Sequence, residues 1–324
     1  MKNVIFFGSD RIALPLLDFL RSNDCVRLAG IVSQPDRPSG RGQKLEQTAV
    51  SAFAERNGIS LLKPQKPDEN LAMQMRSMGC DIILVMAYGH ILRKNILEVP
   101  LFGIYNFHAS ILPKYRGASP IEAAIANGES ETGVSLMQIV EAMDAGAVAD
   151  VESVPIAPDD TYADVAKKIS LLCPTLLRRN LQKICDGTLK WEEQDAVNAT
   201  YAGKLSKEEG LLDFSLPAAK LKNRIRALTP HIGCVIYLGG VPLKIGKVAV
   251  ESADCSRFAR GEIVAIARDG MKIATGDGML IICELQRPGG KMLQAKDFAN
   301  GFSVKIGEVV PSHPMRELSF VHSH

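Results

Sequence analysis

Asn106-Phe107-His108 closes a short apolar run that begins at Ile104. If that run is a strand, alternation turns residues 106 and 108 to one side and Phe107 to the other. A carboxamide and an imidazole would then share one face. Ligands of open α/β sheets sit at the carboxyl ends of the strands, which is where these two residues fall. An Asn at a turn beside a structurally bonded His would look the same from these two positions. The loop that follows, Ser110-Ile111-Leu112-Pro113-Lys114-Tyr115-Arg116-Gly117, carries apolar side chains on irregular backbone. That suits a flat, partly aromatic ligand lying against main-chain donors, or equally an anchor that pins the loop to the core. Asp144 lies in the turn Ala142-Met143-Asp144-Ala145-Gly146. An Asp there either closes its own turn or, set beside His108, orients the ring as its counter-ion. Sequence spacing does not choose between the two.

The surrounding pattern has to position these groups. Val4–Phe7 is a buried-strand run ending at Gly8, and Ile12–Leu20 has apolar residues at helical spacing. Leu28–Val32 and the almost wholly apolar Asp81–Tyr88 are further strands, with a helix over Thr48–Asn57 and another over Pro120–Asn127. Strands without polar alternation are covered on both faces. The alternation of strand and helix predicts an open, mostly parallel sheet with helices on both faces, an α/β fold. Val134–Val140 and Ala147–Ile156 read as two more strands, and Tyr162–Ile184 as a long amphipathic helix bent at Pro174.

The style changes after Trp191. A polar, charged stretch reads as a linker over 190–208, which bounds a first domain at 1–189 and a second at 209–324. The second opens with a basic helix, Pro217–Leu228, and continues as short strands separated by Gly turns, which predicts a small β-barrel of the oligonucleotide-binding kind. The tail from Pro311 to His324 reads as loose.

Composition narrows the class of function. The chain has 324 residues with 46% hydrophobic and 23% charged residues, which excludes disorder and fibrous repeats. Residues 1–206 carry 22 Lys and Arg against 24 Asp and Glu, whereas residues 207–324 carry 16 against 12, so the second domain is the mildly basic half. Seven cysteines without a C-x-x-C spacing argue against a disulfide framework or zinc site. The six His show no H-E-x-x-H, so no metal is expected. No secretory core and no membrane-spanning apolar stretch is present, so a cytoplasmic protein without a membrane role is expected.

The ordered pattern Asn106-x-His108-x-Ser110-Ile111-Leu112-Pro113-x-Tyr115-Arg116-Gly117, followed by Met143-Asp144-x-Gly146, resembles the signature of the folate-dependent formyltransferases. The resemblance implies that Asn106, His108 and Asp144 are the catalytic set. It also implies that Ser110, Ile111, Leu112 and Pro113, together with Met86, Ala87, Tyr88, Gly89, His90, Ile91 and Leu92, line a pocket for 10-formyltetrahydrofolate. The loop Gln34-Pro35-Asp36-Arg37-Pro38-Ser39-Gly40-Arg41-Gly42-Gln43-Lys44 is similar to the P-D-R-P-x-G-R-G-x-K insertion of formyltransferases that act on methionyl-tRNA. So are Pro288–Met292 and Ala295–Phe298 near the end of the chain. The resemblance thus implies that Arg37, Arg41 and Lys44 meet tRNA, while Lys204 and Lys207 in the linker and Lys220, Lys222, Arg224 and Arg226 on the basic helix are lesser candidates. Initiator methionyl-tRNA and folate would be the partners of what is expected to be a monomer. A formyltransferase for a nucleotide-linked amino sugar is the alternative. It would keep the Asn, His and Asp but has no need of the basic loop. A dinucleotide-dependent oxidoreductase is a poorer fit, because the opening turn lacks G-x-G-x-x-G.

Overall fold

Val4, Ile5, Phe6 and Phe7 are all fully buried, so the opening strand must be covered on both sides. Alternation sends Val4 and Phe6 into one apolar cluster and Ile5 and Phe7 into another. The structure, a computed structural model, describes residues 1–39 and 44–321. Its first strands are β1 (Lys2–Gly8), β2 (Val26–Val32), β3 (Arg37–Ser39), β4 (Lys44–Glu46) and β5 (Leu61–Leu62). They are followed by β6 (Ile82–Met86), β7 (Ile104–His108), β8 (Arg116–Gly117), β9 (Glu131–Gln138) and β10 (Val148–Pro155). The helices of this part are α1 (Leu14–Arg21), α2 (Ala49–Arg56), α3 (Glu69–Ser77), α4 (Lys94–Leu97), α5 (Pro120–Ala126) and α6 (Tyr162–Asp186). The Thr48 side chain caps α2 and that of Asp68 caps α3, each accepting from a backbone N–H of the first turn. A Thr161–Asp164 capping box starts α6, which runs through Pro174 to Asp186 and stops at Gly187 in left-handed backbone.

Seven strands form the main sheet in the order β10-β9-β7-β6-β1-β2-β5. β5, β2, β1, β6 and β7 are mutually parallel, while β9 and β10 run antiparallel. The chain builds outward from β1 to β2 and β5 on one side, then returns to lay β6 and β7 on the other. This reversal opens a crevice at the carboxyl ends of β1 and β6.

After β11 (Tyr201–Ala202) and helix α7 (Ala218–Leu228), the second part consists of short antiparallel strands. β12 (Val235–Leu238), β13 (Val241–Ile245), β18 (Glu284–Gln286) and β19 (Met292–Gln294) make one four-stranded sheet. β14 (Val248–Glu251), β17 (Met279–Ile282), β16 (Gly270–Ala274) and β15 (Ile263–Ala267) make the other. Helix α8 (Ala295–Asn300) follows β19.

Three expectations are corrected here. The stretch 190–208 is not a free linker. Trp191 stacks on Tyr105 at 5.6 Å, Glu192 exchanges backbone hydrogen bonds with Val148, and β11 pairs with β8. Polar composition misled because the bonds that bind this stretch are mostly main-chain bonds. The tail is not loose over its described part either. Leu318 is buried, β20 (Ser319–Phe320) pairs with β11, and the His313 N–H donates to the Leu212 carbonyl. The basic helix is also turned inward. Arg224 and Arg226 are buried, Lys222 pairs with Asp159 at 2.6 Å, and Lys220 pairs with Glu317. Arg226 Nη1 donates to the carbonyls of Ala157 and Asp160 on the first domain. These cations therefore join parts of the chain to one another rather than facing a polyanion.

Deleting residues 312–321 would leave a cavity where Leu318 packs and strip β11 of its β20 partner, leaving it paired with β8 alone. Loss of a buried Leu alone costs about 2–5 kcal/mol. A lowered urea midpoint with an unchanged slope is the expected result.

Candidate functional site

Asn106 pairs with Val85 on β6 and with Met137 on β9, so its carboxamide rises at the edge where the strands end. Among the described residues it makes no side-chain hydrogen bond, leaving its N–H groups free for a ligand. His108, two residues on, is buried. Its Nε2 lies 2.9 Å from the Tyr115 carbonyl and its Nδ1 lies 3.5 Å from Asp144 Oδ2. A carbonyl can only accept, so Nε2 carries a proton. Nδ1 is the remaining edge, too far from the carboxylate for a tight bond and so able to share a proton with an incoming oxygen.

Asp144 is held from three directions. Its Oδ2 accepts the Gly117 N–H at 2.8 Å. Its backbone has φ 47°, a left-handed conformation that Asp tolerates better than most residues. Gln194 Nε2 donates to the Asp144 carbonyl at 2.8 Å and to the Gly146 carbonyl at 2.7 Å. Gln194 is fixed in turn by Arg116, whose Nε and Nη2 donate to Gln194 Oε1.

The loop after β7 is the scaffold of this arrangement. Ser110 Oγ donates to the Lys114 carbonyl at 2.6 Å. Ser135 Oγ donates to the Ser110 carbonyl and accepts the Leu112 N–H. Tyr115 has φ 61°, and its hydroxyl donates to Glu129 at 2.7 Å, which aims its carbonyl at His108. Gly117 has φ 114°, and a Cβ there would stand 2.5 Å from the Ala202 carbonyl oxygen. Only glycine lets β8 lie close enough to β11 to present its N–H to Asp144.

A cavity of about 660 Å³ opens at the β1/β6 crevice and is lined by Asn106, His108 and Asp144. Met86, Ala87, Tyr88, Gly89, His90, Ile91 and Leu92 all line it too. Ser110, Ile111, Leu112 and Pro113 do not. Their loop follows directly on His108 and is held by bonds to Ser135 and Lys114. Sequence reasoning missed Ser9, Asp10, Gln34, Glu122 and Tyr162, which also line the cavity. Ser9 and Asp10 form the turn after β1, while Gln34, Glu122 and Tyr162 come from three other parts of the chain, so no single motif gathers them. Gln194 was missed as well, because it lies in the supposed linker. The basic residues fall elsewhere. Arg37 and Lys44 are exposed on the β3–β4 hairpin, and Lys204 and Lys207 are exposed near β11. Arg41 lies outside the described residues.

Two residues of the cavity wall, Tyr88 and His90, also carry buried polar atoms, Tyr88 Oη and His90 Nε2, that have no hydrogen-bond partner among the described residues. A buried polar atom without a partner costs stability. An apolar wall with a few convergent polar groups suits a heteroaromatic ring that carries donors and acceptors on its edge. Burial pushes the Tyr88 phenol from 10.0 up to about 12, so it remains a neutral donor throughout the ordinary pH range.

Comparison with known proteins agrees with this geometry. Residues 1–181 match the family described as formyl transferase, and residues 204–303 match the formyl transferase C-terminal domain. The chain is 39% identical to a methionyl-tRNA formyltransferase of Geobacter metallireducens, over 94% of this chain and 97% of that protein. It is 37% identical to a methionyl-tRNA formyltransferase of Thermotoga maritima, over 92% and 95%. Among solved structures, the sugar 3N-formyl transferase WlaRD, crystallised with dTDP and 5-N-formyl-THF, shares 21% identity. It aligns with a TM-score of 0.65 over 90% of this chain and 99% of that one. HypX from Aquifex aeolicus in complex with tetrahydrofolic acid aligns with a TM-score of 0.58 at 14% identity, over 91% and 46%. At these identities the two structures show a common fold.

Tyr88→Phe would remove a buried hydroxyl that lacks a partner. The ligand-free protein should gain about 1–3 kcal/mol, read as a raised midpoint in thermal or urea unfolding. The sign with pH follows from the upward shift. Protonated Tyr88 contributes its full stability below pH 10, and that contribution is lost as pH rises toward 12. The variant should lack that part of the alkaline decline.

Proposed function

The chain belongs to the methionyl-tRNA formyltransferase family and formylates methionyl-tRNA, and on that premise we propose that the formyl donor is 10-formyltetrahydrofolate and the acceptor the α-amino group of methionine on initiator tRNA. The observation that carries this reading is the convergence of Asn106, His108 and Asp144 on one cavity at the carboxyl ends of β1 and β6.

An α-amino group has a pKa of about 7.7–8.0, so a useful fraction is neutral near pH 7 and can attack the formyl carbon. A carbon–nitrogen bond forms, and the carbonyl electron pair moves onto oxygen. The resulting tetrahedral centre carries a negative oxygen and a positive nitrogen. The Asn106 carboxamide donates to that oxygen, and His108, as an imidazolium with Asp144 for its counter-ion, offers Nδ1–H as the second donor. One such donor is worth about 2.7–4 kcal/mol of transition-state stabilisation. Asp144 keeps the ring oriented and takes the amine proton, directly or through water. Collapse breaks the bond to N10 of the folate, which recovers a proton and leaves as tetrahydrofolate. Met86–Leu92 would form the wall along the folate. Arg37, Arg41, Lys44, Lys204 and Lys207 would meet phosphates or base edges of the tRNA.

The amino-sugar alternative has only the shared fold behind it, since the sugar formyltransferase stands at 21% identity. An assay with 10-formyltetrahydrofolate and two acceptors, methionyl-tRNA and a nucleotide-linked amino sugar, tests the choice. Formyl transfer to the tRNA alone is expected, and transfer to the sugar alone would overturn the reading.

Asp144→Asn preserves side-chain volume but removes the counter-ion and the proton acceptor. Single-turnover formylation should slow by about 10²–10⁴ while donor binding stays near that of the wild type. A full single-turnover rate would remove Asp144 from the mechanism. Arg37→Ala and Lys44→Ala should each weaken tRNA binding and reduce the slope of log affinity against log salt by about one. Filter binding at several salt concentrations reads this directly.

A further inference from the structure

Gln34 stands between the donor cavity and the basic hairpin and bonds to both. It follows β2, lines the cavity, and lies three positions before β3. Its side-chain Nε2 donates to the Tyr88 carbonyl at 2.7 Å. Its Oε1 accepts from Arg37 Nη2 at 2.5 Å. Its backbone N–H donates to Ser9 Oγ at 3.1 Å. A primary amide has one donor end and one acceptor end. Here the donor end meets a carbonyl and the acceptor end meets a guanidinium, so neither a carboxylate nor an ammonium could serve both neighbours. The fit on the cavity side is close. Gly89 has φ 80°, and a Cβ there would lie 2.5 Å from Gln34 Nε2. The hairpin is tied down at its root as well, because Lys63 Nζ donates to both Asp36 oxygens at 2.9 and 3.1 Å. A displacement of Arg37 is therefore passed to Gln34 rather than absorbed by a free loop.

We propose that Gln34 is a positioning residue that couples the two substrate sites: filling the donor cavity fixes the 88–89 wall, fixes Gln34, and holds Arg37 in the orientation that meets tRNA. The coupling rests on the reading that the hairpin contacts tRNA. By linkage it is reciprocal, so bound tRNA tightens donor binding by the same factor.

The test is the dissociation constant of 5-formyltetrahydrofolate, used as an unreactive donor mimic, with and without saturating methionyl-tRNA. For the wild type, tRNA should tighten binding by about fivefold, the lower end of typical site-to-site coupling. Gln34→Glu keeps an acceptor for Arg37 but loses the donor to Tyr88. Arg37→Ala, on the exposed hairpin, leaves the Tyr88 bond alone. In each the factor should fall to about one while both ligands still bind singly, and the double variant should lose nothing further. A wild-type factor of one, or a wild-type factor surviving in Arg37→Ala, overturns the coupling with the acceptor reading intact. Absence of any methionyl-tRNA binding by the wild type overturns the acceptor reading, and the coupling falls with it.

Discussion

The carboxylate of Asp144 is the constraint around which the rest of the site is arranged. One of its oxygens faces two groups, the Gly117 amide at 2.8 Å and His108 Nδ1 at 3.5 Å. A charged oxygen in a half-buried position must be supplied with donors or it disfavours the fold. Supplying them brings together β7, β8, the turn before β10 and the segment carrying Gln194. Together they enclose one imidazole between a carbonyl and a carboxylate, and so fix which ring edge meets a substrate.

The sheet explains why that arrangement has a cavity beside it. Because β1 sits between strands laid down in opposite directions, the loops after β1 and β6 part at their carboxyl ends. The loop after β6 then folds over the gap, with Ala87 in left-handed backbone and Gly89 at φ 80°. On the proposed reading, this wall would take the donor side of the reaction and the 108–117–144 assembly the proton-handling side. They meet at Asn106, whose carboxamide is not committed to the protein.

The two halves of the chain are held together by more than a tether. Helix α7 packs on both, and one apolar cluster runs from Val4 through Ile225 to Leu285. Arg226 bonds carbonyls of the first half, and the tail returns to pair with β11, which itself pairs with β8. The strand that delivers the Gly117 N–H to Asp144 is thus braced by the far end of the chain. Damage to the tail or to α7 would therefore reach the site through β11 and β8.

What the sequence determined by itself was governed by short-range rules. The buried strands, the amphipathic helices and the shared face of Asn106 and His108 follow from periodicity, which depends on neighbours a few positions apart. The ordered spacing of Asn106, His108 and Asp144 also made the formyltransferase resemblance legible. The tertiary structure alone decided what each irregular segment does. The loop Ser110–Pro113 is braced by Ser135, 25 positions from Ser110, whose hydroxyl donates to the Ser110 carbonyl. Gln194 looked like linker and proved to clamp a turn 50 positions earlier. Arg224 and Arg226 looked like a basic surface and are buried, because the helix that carries them docks against the first domain. These outcomes come from hydrogen bonds and contacts between residues distant in sequence, and no local pattern records which partner a loop or a charged helix will find.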